Sequence, residues 1–200
     1  NTYLHPKYFK PNKNILKKLN LDNKEKYVVL RLVSWDASHD IGQKGFNTDT
    51  LIKLIAEIKN YARVFISSEN KIPQILKKYQ LSIEPTEIHD VLSFAELFIG
   101  EGATMASECA IMGTPSIYIN TLSAGTLEDQ EQRGILHMFK SSNGLIEKTK
   151  EILTNPKVKK ETRQISLELF KNKIDINIFF YWLISEYPKS VNHYKNNLTI

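Results

Sequence analysis

Glycines and small residues placed ahead of an apolar helix leave backbone N–H groups accessible. The string Gly100-Glu101-Gly102-Ala103-Thr104-Met105-Ala106-Ser107-Glu108 has that form. An apolar run ends at Ile99, glycines let the chain turn, and small side chains begin the next helix. Free N–H groups in a helix's first turn, together with the positive end of its dipole, hold an anion such as a phosphate. Gly102, Ala103 and Thr104 are the expected phosphate-binding residues, with Thr104 adding a hydroxyl donor. Glu108 stands one helical turn beyond Thr104 on the same face, within reach of a hydroxyl-bearing sugar attached to that phosphate. A carboxylate among Ala106, Cys109, Ala110 and Ile111 needs a partner. The same string also reads as an ordinary strand-to-helix turn capped by a threonine.

A second string, Ser34-Trp35-Asp36-Ala37-Ser38-His39-Asp40-Ile41-Gly42-Gln43-Lys44-Gly45, packs acids, a histidine, a lysine and hydroxyls into one loop. Functional groups concentrated in a loop at a strand's carboxyl end often form a site. His39 with Asp36 or Asp40 can position a proton donor, and these three are the catalytic candidates. His39 could instead contact a phosphate, with Lys44 as a further anion ligand, or simply hydrogen-bond at the surface. Metal binding is the poorer reading, because no second His or Cys stands nearby at ligand spacing. A third loop, residues 120–134, carries Glu128, Asp129 and Glu131, which form either a solvated helical turn or a face for sugar hydroxyls. Arg31, the only charge in its strand, is expected to be paired. His89 lies near the nucleotide base or caps a surface helix.

These loops need a scaffold. Residues 27–33 read as a strand buried on both faces, and residues 63–68 as a second. A brief strand is expected at 81–83, others at 96–99 and 115–119, and a further one at 135–139. Between them, Leu51, Ile52, Leu54, Ile55 and Ile58 recur at helical spacing. Further helices are expected over residues 72–79, 87–94 and 104–112, the last ended by Gly113. Strand and helix therefore alternate from Tyr27 to Ile119. The expected fold is α/β, a Rossmann-like parallel sheet with helices on both faces. A polar loop then runs to Arg133, and the C-terminus is helical, with helices near Lys148 to Leu153, from Pro156 to about Asn172 and over residues 174–187. By domain, residues 1–26 are expected as linker and N-terminal helix, 27–187 as the binding domain and 188–200 as a tail. In such sheets ligands bind beyond the carboxyl ends of the strands.

At 200 residues, 42% apolar and 24% charged, the chain can bury a full core. No segment approaches the roughly eighteen uncharged apolar residues of a membrane span. No basic-then-apolar leader opens the sequence, although the missing initiator Met suggests that residues have been removed upstream. The lone cysteine, Cys109, cannot form an internal disulfide, which fits a cytoplasmic location, and its apolar helix makes it a buried small hydrophobe. The charge of +5 comes from scattered lysines rather than a basic stripe interleaved with aromatics, so nucleic acid is not an expected partner.

Four segments carry a resemblance: Tyr3-Leu4-His5-Pro6, the run from Val29 to Asp40 with its Ser-Trp-Asp-Ala-Ser-His-Asp core, Phe65-Ile66-Ser67-Ser68-Glu69, and Gly100 to Glu108. Together they resemble the C-terminal half of a prokaryotic domain-of-unknown-function family related to GT-B glycosyltransferases. The resemblance runs to about Pro188. More distant relatives are the UDP-N-acetylglucosamine 2-epimerases and the glycosyltransferase that completes lipid II. By that resemblance the chain is the C-terminal lobe of a GT-B-type fold. Its diphosphate turn is Gly102-Ala103-Thr104 and its ribose ligand Glu108. Glu101 departs from the epimerases' Ser-Gly-Gly turn, and Asp36-Ala37-Ser38-His39-Asp40 replaces the epimerase catalytic string.

The resemblance implies glycosyl transfer from a nucleoside-diphosphate sugar in cell-surface polysaccharide or glycolipid synthesis. It also implies an N-terminal acceptor lobe as partner, with peripheral membrane contact through the acceptor. No metal or other cofactor is expected, since backbone amides, the helix dipole and His39 or Lys44 would stabilise the leaving diphosphate. Alone, the lobe is expected to bind nucleotide weakly and to be inactive. The alternatives are a non-hydrolysing sugar-nucleotide epimerase or hydrolase, and a non-catalytic binding module on the same fold.

Overall fold

The computed structural model describes residues 2–22, 24–33, 48–171 and 174–197. Five strands form one sheet: β1 (Tyr27–Leu32), β2 (Arg63–Ser68), β3 (Leu97–Gly100), β4 (Ser116–Ile119) and β5 (Leu136–Phe139). All neighbours pair in parallel, in the order β2-β1-β3-β4-β5. The chain leaves β1 towards β2 on one side and returns to β3 on the other. The carboxyl ends of β1 and β3 therefore flank the point where the strand order reverses, which is where such sheets open a crevice.

Parallel strands buried on both faces need apolar residues throughout, and β1 supplies them with Val28, Val29 and Leu30 at 0% exposure. Alternation then divides the core in two. Val28, Leu30, Ile66 and Ile99 pack under α2 (Thr48–Ile58) and α6 (Leu145–Thr154). On the opposite face, Val29, Phe98 and Tyr118 pack under α3 (Ile88–Phe94), α4 (Ala103–Ile111) and α5 (Gly125–Gln132). The short α1 (Asn14–Lys18) contributes Ile15 and Leu16 to this second core, and α7 (Val158–Lys171) lays Ile165 and Leu169 against it. Two helices follow, α8 (Ile176–Ser185) and α9 (Lys189–Asn197).

The α/β class and the strands at both flanks of the site are as expected. Four local expectations are corrected. Residues 81–83 do not form a strand: only Gln80 bridges Ile66, and Leu81 N–H donates to Ile66 C=O before Glu84 and Pro85 turn the chain into a capping box. The helix expected over residues 72–79 is a 3-10 segment, Gln74–Tyr79. The polar loop expected to reach Arg133 contains α5, anchored by buried Leu127 and by Gln130, whose amide donates to Ser107 Oγ at 2.8 Å. The expected tail contains α9, with Ser190 buried and donating to Leu183 C=O.

Residues 2–22 are more than a linker. Leu4, Ile15, Leu16, Leu19 and Leu21 are buried. Asn12 N–H donates to Asp90 Oδ1 at 2.9 Å, and Lys18 pairs with Glu87. This segment is a strap drawn across α3 and the side of α4. Gly113 ends α4 in the left-handed region (φ 84°), and a Cβ there would lie 2.8 Å from Arg163 Cα, so glycine serves both the turn and the approach of α7.

Candidate functional site

The turn between β3 and α4 is held by a buried acid. Glu101, 3% exposed, accepts the Val33 N–H on its carboxylate at 2.9 Å, donates its own N–H to Arg31 C=O, and receives Asn120 Nδ2–H on its carbonyl at 3.1 Å. One residue thus ties together the carboxyl ends of β1, β3 and β4. Gly100 is required beside it, because a Cβ would meet Phe98 Cζ at 2.6 Å and Arg31 Cβ at 2.9 Å. The acid that departs from a diphosphate-binding turn therefore has a structural task.

Beyond this clamp the chain turns into α4 with Gly102 as N-cap, and no side chain caps the helix. The Gly102 carbonyl accepts from Ala106 N–H, while the N–H groups of Gly102, Ala103, Thr104 and Met105 have no partner among the described residues. Thr104 is exposed and its neighbours are half-buried. The three phosphate candidates are thus brought together at an open, uncapped helix start beside the strand-order reversal. That arrangement presents backbone donors and a positive dipole end to an anion.

Glu108 lies one turn further along, in a different environment. It is 5% exposed, and each carboxylate oxygen has a donor: Tyr3 Oη–H to Oε1, and His89 Nε2 to Oε2 at 3.0 Å. A carboxylate can only accept, so His89 carries its proton on Nε2. Tyr3 and Phe9 meet the His89 ring edge-on, with centroids 5.5 and 6.1 Å away. The hydrogen bond to Glu108 pushes the Tyr3 phenol up to about 12, with burial and the carboxylate's charge adding to it. The partner that the sequence required for Glu108 is therefore a pair of side chains on the strap and on α3. His89, which the sequence sets near the nucleotide base or at a surface helix cap, is half-buried against Glu108. The Tyr3 contact spans 105 positions and has no local signal.

Arg31 is paired, donating to Ser67 Oγ at 2.7 Å and to Glu69 Oε1 at 2.5 Å on the α3–α4 face. Cys109 is fully buried, and desolvation raises its thiol well above the ordinary range, so it is inert at neutral pH. His39, Asp36, Asp40 and Lys44 lie outside the described residues. Among the described residues, no group of three or more His, Cys, Asp or Glu could hold a metal ion, and no helix is long and apolar enough to cross a membrane. A cavity of about 530 Å³ opens elsewhere, between α5, α7 and the start of α8, with His5 at its edge. Its walls are largely apolar (Ile111, Leu169, Phe170 and Ile174) and it does not include the α4 amides.

Residues 2–124 match the family described as protein of unknown function (DUF354). The chain belongs to that family. The match takes in the Tyr3 strap, the β1 end and the whole of α4, so the hydrogen bonds described above for Glu101 and Glu108 lie inside the family region. No curated protein sequence matches the chain. Among solved structures, it is similar to a Listeria monocytogenes protein described as a UDP-N-acetylglucosamine 2-epimerase, with a TM-score of 0.64 and 11% identity over 95% of this chain and 52% of that one. It is also similar to the wall teichoic acid polymerase TagF (TM-score 0.54, 13% identity, 80% of this chain and 41% of that one). Spinosyn rhamnosyltransferase SpnG gives a TM-score of 0.53 at 10% identity, over 80% of this chain and 45% of that one. At these identities the likeness establishes the fold of this DUF354 member, a GT-B-type Rossmann-like lobe. The chain spans about half or less of the length of these structures.

Proposed function

We propose that this lobe binds a nucleoside-diphosphate sugar and serves glycosyl transfer in cell-surface polysaccharide or glycolipid synthesis, as one half of a two-lobed protein. The observation that carries the reading is the uncapped start of α4, with unpartnered N–H groups at Gly102 to Met105, open beside the strand-order reversal. Those amides and the helix dipole would hold the diphosphate and stabilise it as it leaves. Glu108 would take the ribose hydroxyls. His39, Asp36 and Asp40 are assigned to proton handling and Lys44 to the anion, in the loop that follows β1. The glycosyltransferases and the epimerase among the similar structures support the choice of ligand class, which fold alone does not decide.

Titration of the protein with UDP, UDP-N-acetylglucosamine and other nucleotides tests this. Saturable binding that is lost on blocking the α4 amides is expected, and no binding of any nucleotide ends the reading. The engagement of Glu108 by Tyr3 and His89 favours a second reading, a non-catalytic module that keeps the fold. In that case Glu108→Ala changes stability and leaves nucleotide affinity untouched.

A further inference from the structure

Glu108 is enclosed, and its two donors differ in how firmly they are held. His89 belongs to α3, which is seated on the core through Val91 and Leu92, both at 0% exposure. The His89 side chain is only 23% exposed, and the Tyr3 and Phe9 rings pack edge-on against the imidazole. Tyr3 sits near the start of the strap with 52% of its surface exposed, and only its hydroxyl reaches inwards to Oε1. The strap is fixed without it, by buried Leu4, by the His5 ring against Phe170 at 4.9 Å and by the Asn12–Asp90 hydrogen bond. A rotation of one half-exposed side chain therefore uncovers the carboxylate while the strap stays in place.

With Glu108 at 5% exposure there is no open approach for an additional donor, so a ligand hydroxyl reaches Oε1 only by taking the place of the phenol. We propose that Tyr3 is a built-in stand-in for a ribose hydroxyl: it occupies Glu108 when the site is empty and is exchanged for the sugar when nucleotide binds. The exchange breaks one O–H···carboxylate bond and forms another. Affinity for a ribonucleotide is then lower than the contacts alone would give, because one charge-assisted hydrogen bond must first be released. A nucleotide without ribose hydroxyls escapes that penalty and gains nothing from Glu108. This inference rests on the nucleotide reading above.

The test compares the protein with its Tyr3→Phe variant, which keeps the ring against His89 and removes only the hydroxyl. UDP and dideoxyuridine diphosphate, which lacks both ribose hydroxyls, are titrated calorimetrically into each. UDP should bind the variant roughly tenfold more tightly, and the dideoxy compound should bind both forms equally. In the unaltered protein, the ring carbon resonances of Tyr3 should move on addition of UDP and stay put with the dideoxy compound. Equal or weaker UDP binding by Tyr3→Phe, or the same gain with both compounds, overturns the exchange while leaving the site reading standing. Failure of both forms to bind UDP removes the site reading and the exchange with it.

Discussion

Glu101 and Glu108 are both buried, lie on consecutive stretches of the β3–α4 unit, and are satisfied in different ways. Glu101 accepts a backbone N–H from the end of β1, and its own peptide groups bond to Arg31 and Asn120. The Val33 N–H and the Arg31 carbonyl are backbone groups at the end of β1 and cannot leave without disturbing that strand. Glu108 accepts from two side chains, one of them on a half-exposed residue of the strap. The comparison separates an acid that builds the site's frame from an acid whose hydrogen bonds can be exchanged. A buried carboxylate is therefore not by itself a binding group; what decides is whether its donors are backbone or replaceable side chains.

The largest effect should come from breaking the frame. Glu101→Ala strands the Val33 N–H and frees the end of β1 from the β3–α4 turn, while the backbone bonds to Arg31 and Asn120 remain, and should lower stability by about 2 kcal/mol, read as a shift in urea midpoint. Glu108→Ala introduced into the Tyr3→Phe background, where no phenol has to be released first, should instead weaken UDP binding roughly tenfold, measured by calorimetry. A stability loss equal to that of Glu101→Ala with unchanged UDP affinity would erase the distinction between the two acids. Ala103→Pro removes one unpartnered N–H at the first helical position, where proline is tolerated. Circular dichroism should show the fold intact, while UDP affinity falls roughly tenfold.

A smaller effect should appear with pH. The Tyr3 phenol, ordinarily ionising at 10.0, is raised to about 12 chiefly by its bond to Glu108. A raised folded-state value means that this stabilisation is whole below pH 10 and is lost as pH climbs towards 12. Chemical-denaturation stability should therefore decline less steeply over that window in Tyr3→Phe than in the unaltered protein. The smallest change is expected at the exposed helix start. Thr104→Ala caps nothing and should alter stability by no more than about 0.5 kcal/mol, so a larger loss would show that the open end of α4 is structural after all.

Much of this arrangement is legible from residue order. β1, β2, β3 and β4 announce themselves as apolar runs bounded by polar turns, and α2 and α4 by helical spacing and a closing Gly113. Other elements carry no such signal. α5 has a single buried apolar residue, Leu127, so no amphipathic stripe marks it, and it is held by Gln130 reaching Ser107 on α4. Residues 81–83 look extended and apolar, yet capping of the next turn by Glu84 and Glu87 stops them from joining the sheet.

The amino-acid order alone determined the parallel α/β lobe and the small-residue turn at Gly102 to Thr104, because strand runs, helix periods and glycine turns depend on neighbours a few positions apart. It also set a buried acid in α4 that had to find a partner. Only the tertiary structure decided which partners those were. Tyr3 meets Glu108 across 105 positions and Glu101 meets Val33 across 68, contacts created by chain crossings that no local pattern encodes.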